Sequence, residues 1–136
     1  MLVTAIVLGA CASQPTADAD AEPVRVPVEG GGDYLDVTPT ALNAMLADKD
    51  FVVVNVHVPY EGEIQATDLF IPYDTIGSQL DELPADREAK IVLYCRSGSM
   101  SAIAARELVA AGFTNVWNLD GGMNAWQAQG YPLGGG

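Results

Sequence analysis

Two patterns of apolar residues recur between positions 34 and 128: short runs and longer segments with helical spacing. The runs at 51–56 (FVVVNV) and 90–94 (KIVLY) are rich in β-branched residues and almost continuously apolar. Such runs are typical of strands that are covered on both faces. Further short strands are predicted at 34–37, 69–71 and 116–119.

Segments with helical spacing separate these predicted strands. A threonine-proline pair opens a predicted helix at 38–48, because threonine is a good N-cap and proline suits the first helical position. A stronger helix is predicted at 101–111, where a glycine follows as the stop signal, and shorter helices are predicted at 74–83 and 123–128. Strands that alternate with helices in this way predict an α/β fold around a parallel sheet.

The first 32 residues follow neither pattern. Residues 1–10 (MLVTAIVLGA) are apolar or small and uncharged, and Cys11 follows them. Because a membrane-spanning helix needs about 20 apolar residues, this run is predicted to be a signal-peptide core. Residues 11–32 are rich in Ala, Pro, Asp and Gly and are predicted to form a flexible acidic linker. The remaining residues, 33–136, are enough for one small domain.

The residue counts exclude several classes of function. The chain has 18 Asp and Glu against 6 Lys and Arg, a formal net charge of -12, and its scattered basic residues form no positive stripe for a nucleic acid. Two cysteines and one histidine cannot supply the usual four-ligand zinc site. We therefore expect no metal, no other cofactor and no nucleic-acid partner.

Cys95 is the strongest candidate for chemistry. It directly follows the predicted buried strand at 90–94, and residues 96–100 (RSGSM) lead into the next helix. In parallel sheets, ligands bind beyond the carboxyl ends of the strands. Backbone N–H groups of such a turn, the helix N-terminus and Arg96 all favour the thiolate over the neutral thiol. We expect a reactive nucleophile here, and the alternative is a small buried residue at a strand end.

Residues 95–101 (CRSGSMS), followed by a helix and then by 119–126 (LDGGMNAW), resemble a single-domain rhodanese over roughly 34–132. That family typically reads C-R-S-G-x-R-S and then G-G-x-x-A-W. The resemblance implies a small doubly wound sheet of about five parallel strands with helices on both faces, formed by 33–136. It also implies sulfur transfer: the thiolate takes a sulfane sulfur from thiosulfate, a polysulfide or a persulfide, holds it as a persulfide, and passes it to cyanide or a thiol.

The resemblance also implies the site residues. Cys95 is the predicted catalytic residue, and the predicted substrate-binding residues of the loop are Arg96, Ser97, Gly98, Ser99, Met100 and Ser101. Phosphatases of related fold carry an Arg where this chain has Ser101, so phosphoryl chemistry is disfavoured.

A second motif departs from the family pattern. Rhodaneses usually carry D-V-R-x-x-x-E, whereas residues 55–61 of this chain read NVHVPYE. We expect Asn55 and His57 to face the substrate pocket, with His57 either carrying a proton near neutral pH or bracing the loop through a hydrogen bond. Met100 also replaces the second Arg of the loop. A pocket without that charge should hold dianionic thiosulfate less well, which favours polysulfide, persulfide or thiol-bearing donors.

The residues Leu8-Gly9-Ala10-Cys11 resemble the lipobox of bacterial lipoproteins. This resemblance implies a lipid on Cys11 and a protein anchored to the membrane outside the cytoplasm, although no Lys or Arg precedes Cys11 as the family expects. The alternative is a hydrophobic tail with a free thiol.

Two functional hypotheses follow from the sequence. The first is a lipid-anchored sulfurtransferase that acts on small sulfur compounds and delivers sulfur to cyanide, a small thiol or a thiol-bearing protein. The second is a rhodanese-like module that senses sulfur species or docks a partner protein with little turnover.

Overall fold

Strands and helices alternate along the chain in the computed structural model, which describes residues 21–135. The strands are β1 (Val24–Pro27), β2 (Asp33–Val37), β3 (Val52–Asn55), β4 (Glu63–Ile64), β5 (Leu69–Phe70), β6 (Ile91–Tyr94), β7 (Val116–Leu119) and β8 (Leu133–Gly134). The helices are α1 (Pro39–Met45), α2 (Ser99–Ala110) and α3 (Gly122–Ala128). Between residues 21 and 135, no helix is both long and apolar enough to span a membrane.

The central sheet contains six strands in the order β1-β2-β7-β6-β3-β5. Every neighbouring pair from β2 to β5 is parallel, and only β1 runs antiparallel to its neighbour β2. The prediction of an α/β fold with about five parallel strands is therefore confirmed, with one antiparallel edge strand added to it. A separate antiparallel pair, β4 with β8, was not predicted because two-residue strands show no periodicity.

The added strand β1 corrects the boundary predicted for the linker at 11–32. Val24 pairs opposite Asp36, and the strand continues to Pro27 opposite Asp33. Val26 is partly buried against the core, so this segment belongs to the domain. Alternating valines paired with the free edge of β2 stabilise a strand despite the surrounding proline and acidic residues. The signal peptide predicted at 1–10, and Cys11, lie outside the described residues.

The sheet is covered on both faces, as predicted. Along β6, Ile91 and Leu93 point into the core beneath α2, while Val92 and Tyr94 point into the core beneath α1 and α3. All four side chains are fully buried. A strand with two buried faces cannot alternate apolar and polar residues, which explains the continuous apolar run in its sequence.

The helix predicted at 74–83 does not form. Two short 3-10 turns, Ile76–Ser78 and Leu80–Glu82, occupy the segment, with Ile76 buried as its anchor. Glycine at position 77 and the proline that follows the segment both weaken an α-helix. The helix predicted at 38–48 is correct as far as Met45 and then tightens into a 3-10 turn.

Tyr94 fixes the end of β6, immediately before Cys95. Its hydroxyl accepts a hydrogen bond from the Ile64 N–H at 3.0 Å and lies 2.7 Å from the Thr67 hydroxyl. Burial raises the pKa of Tyr94 to about 12, so the phenol is neutral at physiological pH. The polar end of this core residue therefore ties β4 to the strand that carries the candidate nucleophile.

Candidate active site

Cys95 lies at the carboxyl edge of the parallel sheet, between the end of β6 and the start of α2. The neighbouring strands β3 and β7 end at Asn55 and Leu119 on the same edge, since all three strands are parallel. Residues 95–101 connect β6 to the first turn of α2, and we call them the Cys95 loop. This is the position at which open α/β sheets bind their ligands.

The Cys95 sulfur sits in a pocket of hydrogen-bond donors. The Gly98 N–H donates to Sγ at 3.0 Å and the Ser101 N–H at 3.4 Å, while the Ser101 hydroxyl lies 3.4 Å from the same atom. Gly98 has a φ of +100°, a left-handed conformation that glycine adopts without strain. Cys95 is 1% exposed, so these N–H groups act on a largely desolvated sulfur. Donors placed in this way stabilise negative charge on sulfur.

The other predicted loop residues are arranged differently. Ser97 and Ser99 are exposed, and their hydroxyls lie 3.2 Å from each other rather than against the sulfur. Met100 is half-buried and packs against the apolar core beneath α2. Of the loop side chains, only the Ser101 hydroxyl therefore contacts Sγ, and the remaining contacts come from the backbone.

Arg96 turns toward a carboxylate outside the Cys95 loop. Its Nε donates a hydrogen bond to Glu61 Oε2, and His57 Nε2 lies 3.0 Å from the same oxygen. The Arg96 hydrogen bond, supported by the one from His57, lowers the pKa of Glu61, so the carboxylate stays ionised at neutral pH. The pairing joins residues 35 positions apart, and no motif in the sequence indicates it.

Asn55 and His57 hold the turn that carries Glu61. The side-chain oxygen Oδ1 of Asn55 accepts a hydrogen bond from the His57 N–H at 3.0 Å, and the side-chain Nδ2 of Asn55 donates to the Gly62 carbonyl at 3.0 Å. Both residues are buried. Among the described residues, His57 Nδ1 has no hydrogen-bond partner. The geometry therefore corresponds to the bracing alternative for His57, through its ring contact with Glu61.

The glycine pair at the start of α3, Gly121 and Gly122, brings this helix against the Cys95 loop. The Met123 N–H donates to the Cys95 carbonyl at 2.8 Å, and the Asn124 N–H donates to the Arg96 carbonyl at 2.9 Å. Gly122 lies directly against this backbone at a φ of +58°, and a Cβ there would overlap the Cys95 carbonyl oxygen. The first turn of α3 is thus docked on the Cys95 loop, a contact that only a glycine permits.

No group of three or more His, Cys, Asp and Glu side chains suited to a metal ion occurs within residues 21–135. The chemistry available at this site is that of a buried thiol with fixed N–H donors. Such a thiol can attack an electrophilic sulfur and then hold the transferred atom, because the donors stabilise the anion before and after transfer.

Comparisons with known proteins agree with this chemistry. Residues 38–129 match the profile of the rhodanese-like domain. A sulfurtransferase from Allochromatium vinosum is 35% identical over 102 residues, which cover 72% of this chain and 92% of that protein. A solved rhodanese-like domain protein from Staphylococcus aureus is 29% identical with a TM-score of 0.61, covering 74% of this chain and 98% of that one.

A second group of relatives is longer than this chain. The tRNA uridine(34) hydroxylase of Salmonella typhimurium is 35% identical over 112 residues, which cover 75% of this chain and 31% of that protein. This chain therefore spans about a third of the hydroxylase and nearly the whole of the sulfurtransferase.

Proposed function

The chain belongs to the rhodanese-like family, and from that premise we propose that it is a sulfurtransferase in which Cys95 carries the sulfur as a persulfide. The observation that carries the proposal is the set of donors around Cys95 Sγ, with the Gly98 N–H at 3.0 Å and the Ser101 N–H at 3.4 Å. A persulfide is an anion at neutral pH and needs such donors in a site closed to water. Similarity to a sulfurtransferase over 92% of that protein's length supports the same reaction class.

The reaction has two steps, each a displacement at sulfur. The Cys95 thiolate attacks the outer sulfur of the donor, so a Cys–S–S bond forms while the bond to the leaving group breaks. The leaving group departs with the electron pair, as sulfite from thiosulfate or as a thiolate from a persulfide. Cyanide or a thiolate then attacks the terminal sulfur, which restores the Cys95 thiolate.

The Cys95 loop has further backbone N–H groups that could bind the terminal sulfur of the persulfide. Within the described part of the chain, the N–H groups of Arg96, Ser97 and Met100 have no hydrogen-bond acceptor. Unused N–H groups on the loop that already surrounds Sγ are suited to a second, negatively charged sulfur atom. We assign them to the persulfide state rather than to the resting thiolate.

Sulfur loading tests this function directly. After incubation with thiosulfate, polysulfide or a low-molecular-weight persulfide, the protein is expected to gain the mass of one sulfur atom, located at Cys95 by peptide mapping. Addition of cyanide should release the sulfur as thiocyanate and restore the original mass. Stable loading without delivery to cyanide or a thiol would favour the sensing or docking module instead. Failure of every donor to load Cys95 would contradict both functions.

We also propose that the protein is held at the membrane, outside the cytoplasm, by a lipid on Cys11. The support is the order of residues 1–32: an apolar run, a small pair, a cysteine, and then a segment rich in Ala, Pro, Asp and Gly. Mass spectrometry of the N-terminus of the native protein is expected to find an acylated Cys11 as the first residue. An intact Met1 or an unmodified Cys11 would overturn the proposal.

A further inference from the structure

Arg96 carries the one positive charge within the Cys95 loop, and its guanidinium is paired with the Glu61 carboxylate. The two side chains form an ion pair through Arg96 Nε, and each is a little over one-third exposed. Charge-assisted hydrogen bonds of this kind are among the stronger side-chain contacts. The net charge of this pair is zero.

His57 also contacts the Glu61 carboxylate, but it does not replace Arg96 there. His57 Nε2 shares the oxygen Glu61 Oε2 with Arg96, while Nδ1 is buried without an acceptor among the described residues. Arg96 thus keeps its hydrogen bond to the Glu61 carboxylate beside the His57 contact.

No other cation is available to the Cys95 loop in the part of the chain that the structure describes. Four of the remaining basic side chains make an ion pair or a cation–π contact with a residue outside the loop: Arg25, Lys49, Arg87 and Lys90. The fifth, Arg106, lies near Tyr34. Met100, which packs into the core, adds no charge. A dianion that enters this site therefore meets backbone donors but no unpaired positive side chain.

We propose that Glu61 is a specificity-determining residue, which holds Arg96 and so directs Cys95 toward sulfane sulfur on thiols and other singly charged carriers rather than toward the thiosulfate dianion. The inference rests on the proposed function and names the class of donor for the same site. Glu61 acts through Arg96, so its effect falls on donor binding and not on the sulfur chemistry itself.

The two donor classes undergo the same balanced step. With thiosulfate, the Cys95 thiolate takes the outer sulfur and sulfite leaves as a dianion. With a thiol persulfide, the same thiolate takes the terminal sulfur and a thiolate leaves. The bond that forms is identical, so a difference in rate between donors measures recognition of the leaving portion.

The test compares thiosulfate with benzenethiosulfonate, a monoanion that donates the same kind of sulfane sulfur. Glu61→Gln keeps the shape of the side chain and releases the Arg96 guanidinium. We expect kcat/KM for thiosulfate to rise roughly tenfold, mainly through a lower KM, while kcat/KM for benzenethiosulfonate changes by less than about twofold. A purely structural role for Glu61 would lower both values together.

His57→Arg provides an independent variant, because it keeps Glu61 and gives its carboxylate a second cation. We expect the same selective gain with thiosulfate. Glu63→Gln is the matched control: it removes one negative charge two positions away without touching Arg96, and we expect no donor-selective change.

The outcomes separate this inference from the proposed function. If both donors load Cys95 but neither Glu61→Gln nor His57→Arg raises thiosulfate use, the role assigned to Glu61 is wrong and sulfur transfer stands. An equal gain in Glu63→Gln would assign the effect to overall charge and would also overturn it. If no donor loads Cys95 in any variant, both proposals are wrong.

Discussion

Cys95→Ser protein is expected to gain no sulfur from any donor, with a loading rate at least about a thousandfold below that of the native protein. A serine hydroxyl would occupy the same buried position and keep the Gly98 and Ser101 donors. It is protonated at neutral pH, however, and oxygen is a poor nucleophile toward sulfane sulfur. Intact mass after donor treatment, and thiocyanate release on addition of cyanide, measure the loss.

Ser101→Ala is the matched control for this experiment. It removes the hydroxyl 3.4 Å from Sγ but keeps the thiol and the Ser101 N–H. We expect loading to slow by about tenfold, because one polar contact with the sulfur is lost while the nucleophile and its N–H donors remain.

Sulfur that still loads onto Cys95→Ser would reject both the enzyme and the sensing module, since each requires this thiol.

Gly122→Ala is expected to damage both stability and sulfur transfer. The new Cβ would overlap the carbonyl of Cys95 and the backbone of Arg96, which the first turn of α3 contacts through hydrogen bonds. Backbone atoms cannot rotate away as a side chain does, so α3 or the Cys95 loop must shift. We expect a loss of about 3 kcal/mol in the free energy of unfolding and a roughly hundredfold slower loading rate.

Gly130→Ala is the control for this prediction. It measures the loss of stability caused by an alanine in the left-handed backbone conformation where no overlap occurs. Gly130 has a φ of +85°, and a Cβ there would meet nothing within 4 Å. Its replacement should cost about 1 kcal/mol and leave the loading rate unchanged. Urea unfolding and mass-detected loading compare the two variants. Equal effects at both glycines would show that the contact between Gly122 and the Cys95 loop has no special role.

The sheet was predictable where its strands are buried on both faces. The runs that became β3 and β6 are apolar whatever their neighbours, so local sequence suffices to identify them. The strand β1 was missed because its stability comes from pairing with β2, which no property of Val24–Pro27 by itself reveals. The 3-10 turns at 76–82 were misread as a helix because spacing alone does not distinguish the two.

The candidate site likewise has a part that the sequence indicates and a part that only the folded structure reveals. Cys95 and its loop form one continuous stretch after a strand, so the sequence indicates them directly. The partner of Arg96 lies 35 positions away, and the docking of Gly122 on Cys95 joins the start of α3 to the Cys95 loop. Contacts of this kind depend on which strands become neighbours, and the order β7-β6-β3 is a property of the folded sheet.

The direction of β1 has a consequence for how the domain is oriented on a surface. Because β1 is antiparallel to β2 and Val24 pairs with Asp36, the chain enters the domain at the carboxyl edge of the parallel strands, where Cys95 lies. The chain from Cys11 to Val24 reaches at most about 45 Å when fully extended. With the lipid proposed on Cys11, this segment would join the domain at the edge of the sheet that carries Cys95, and Cys95 would therefore stay close to the bilayer surface.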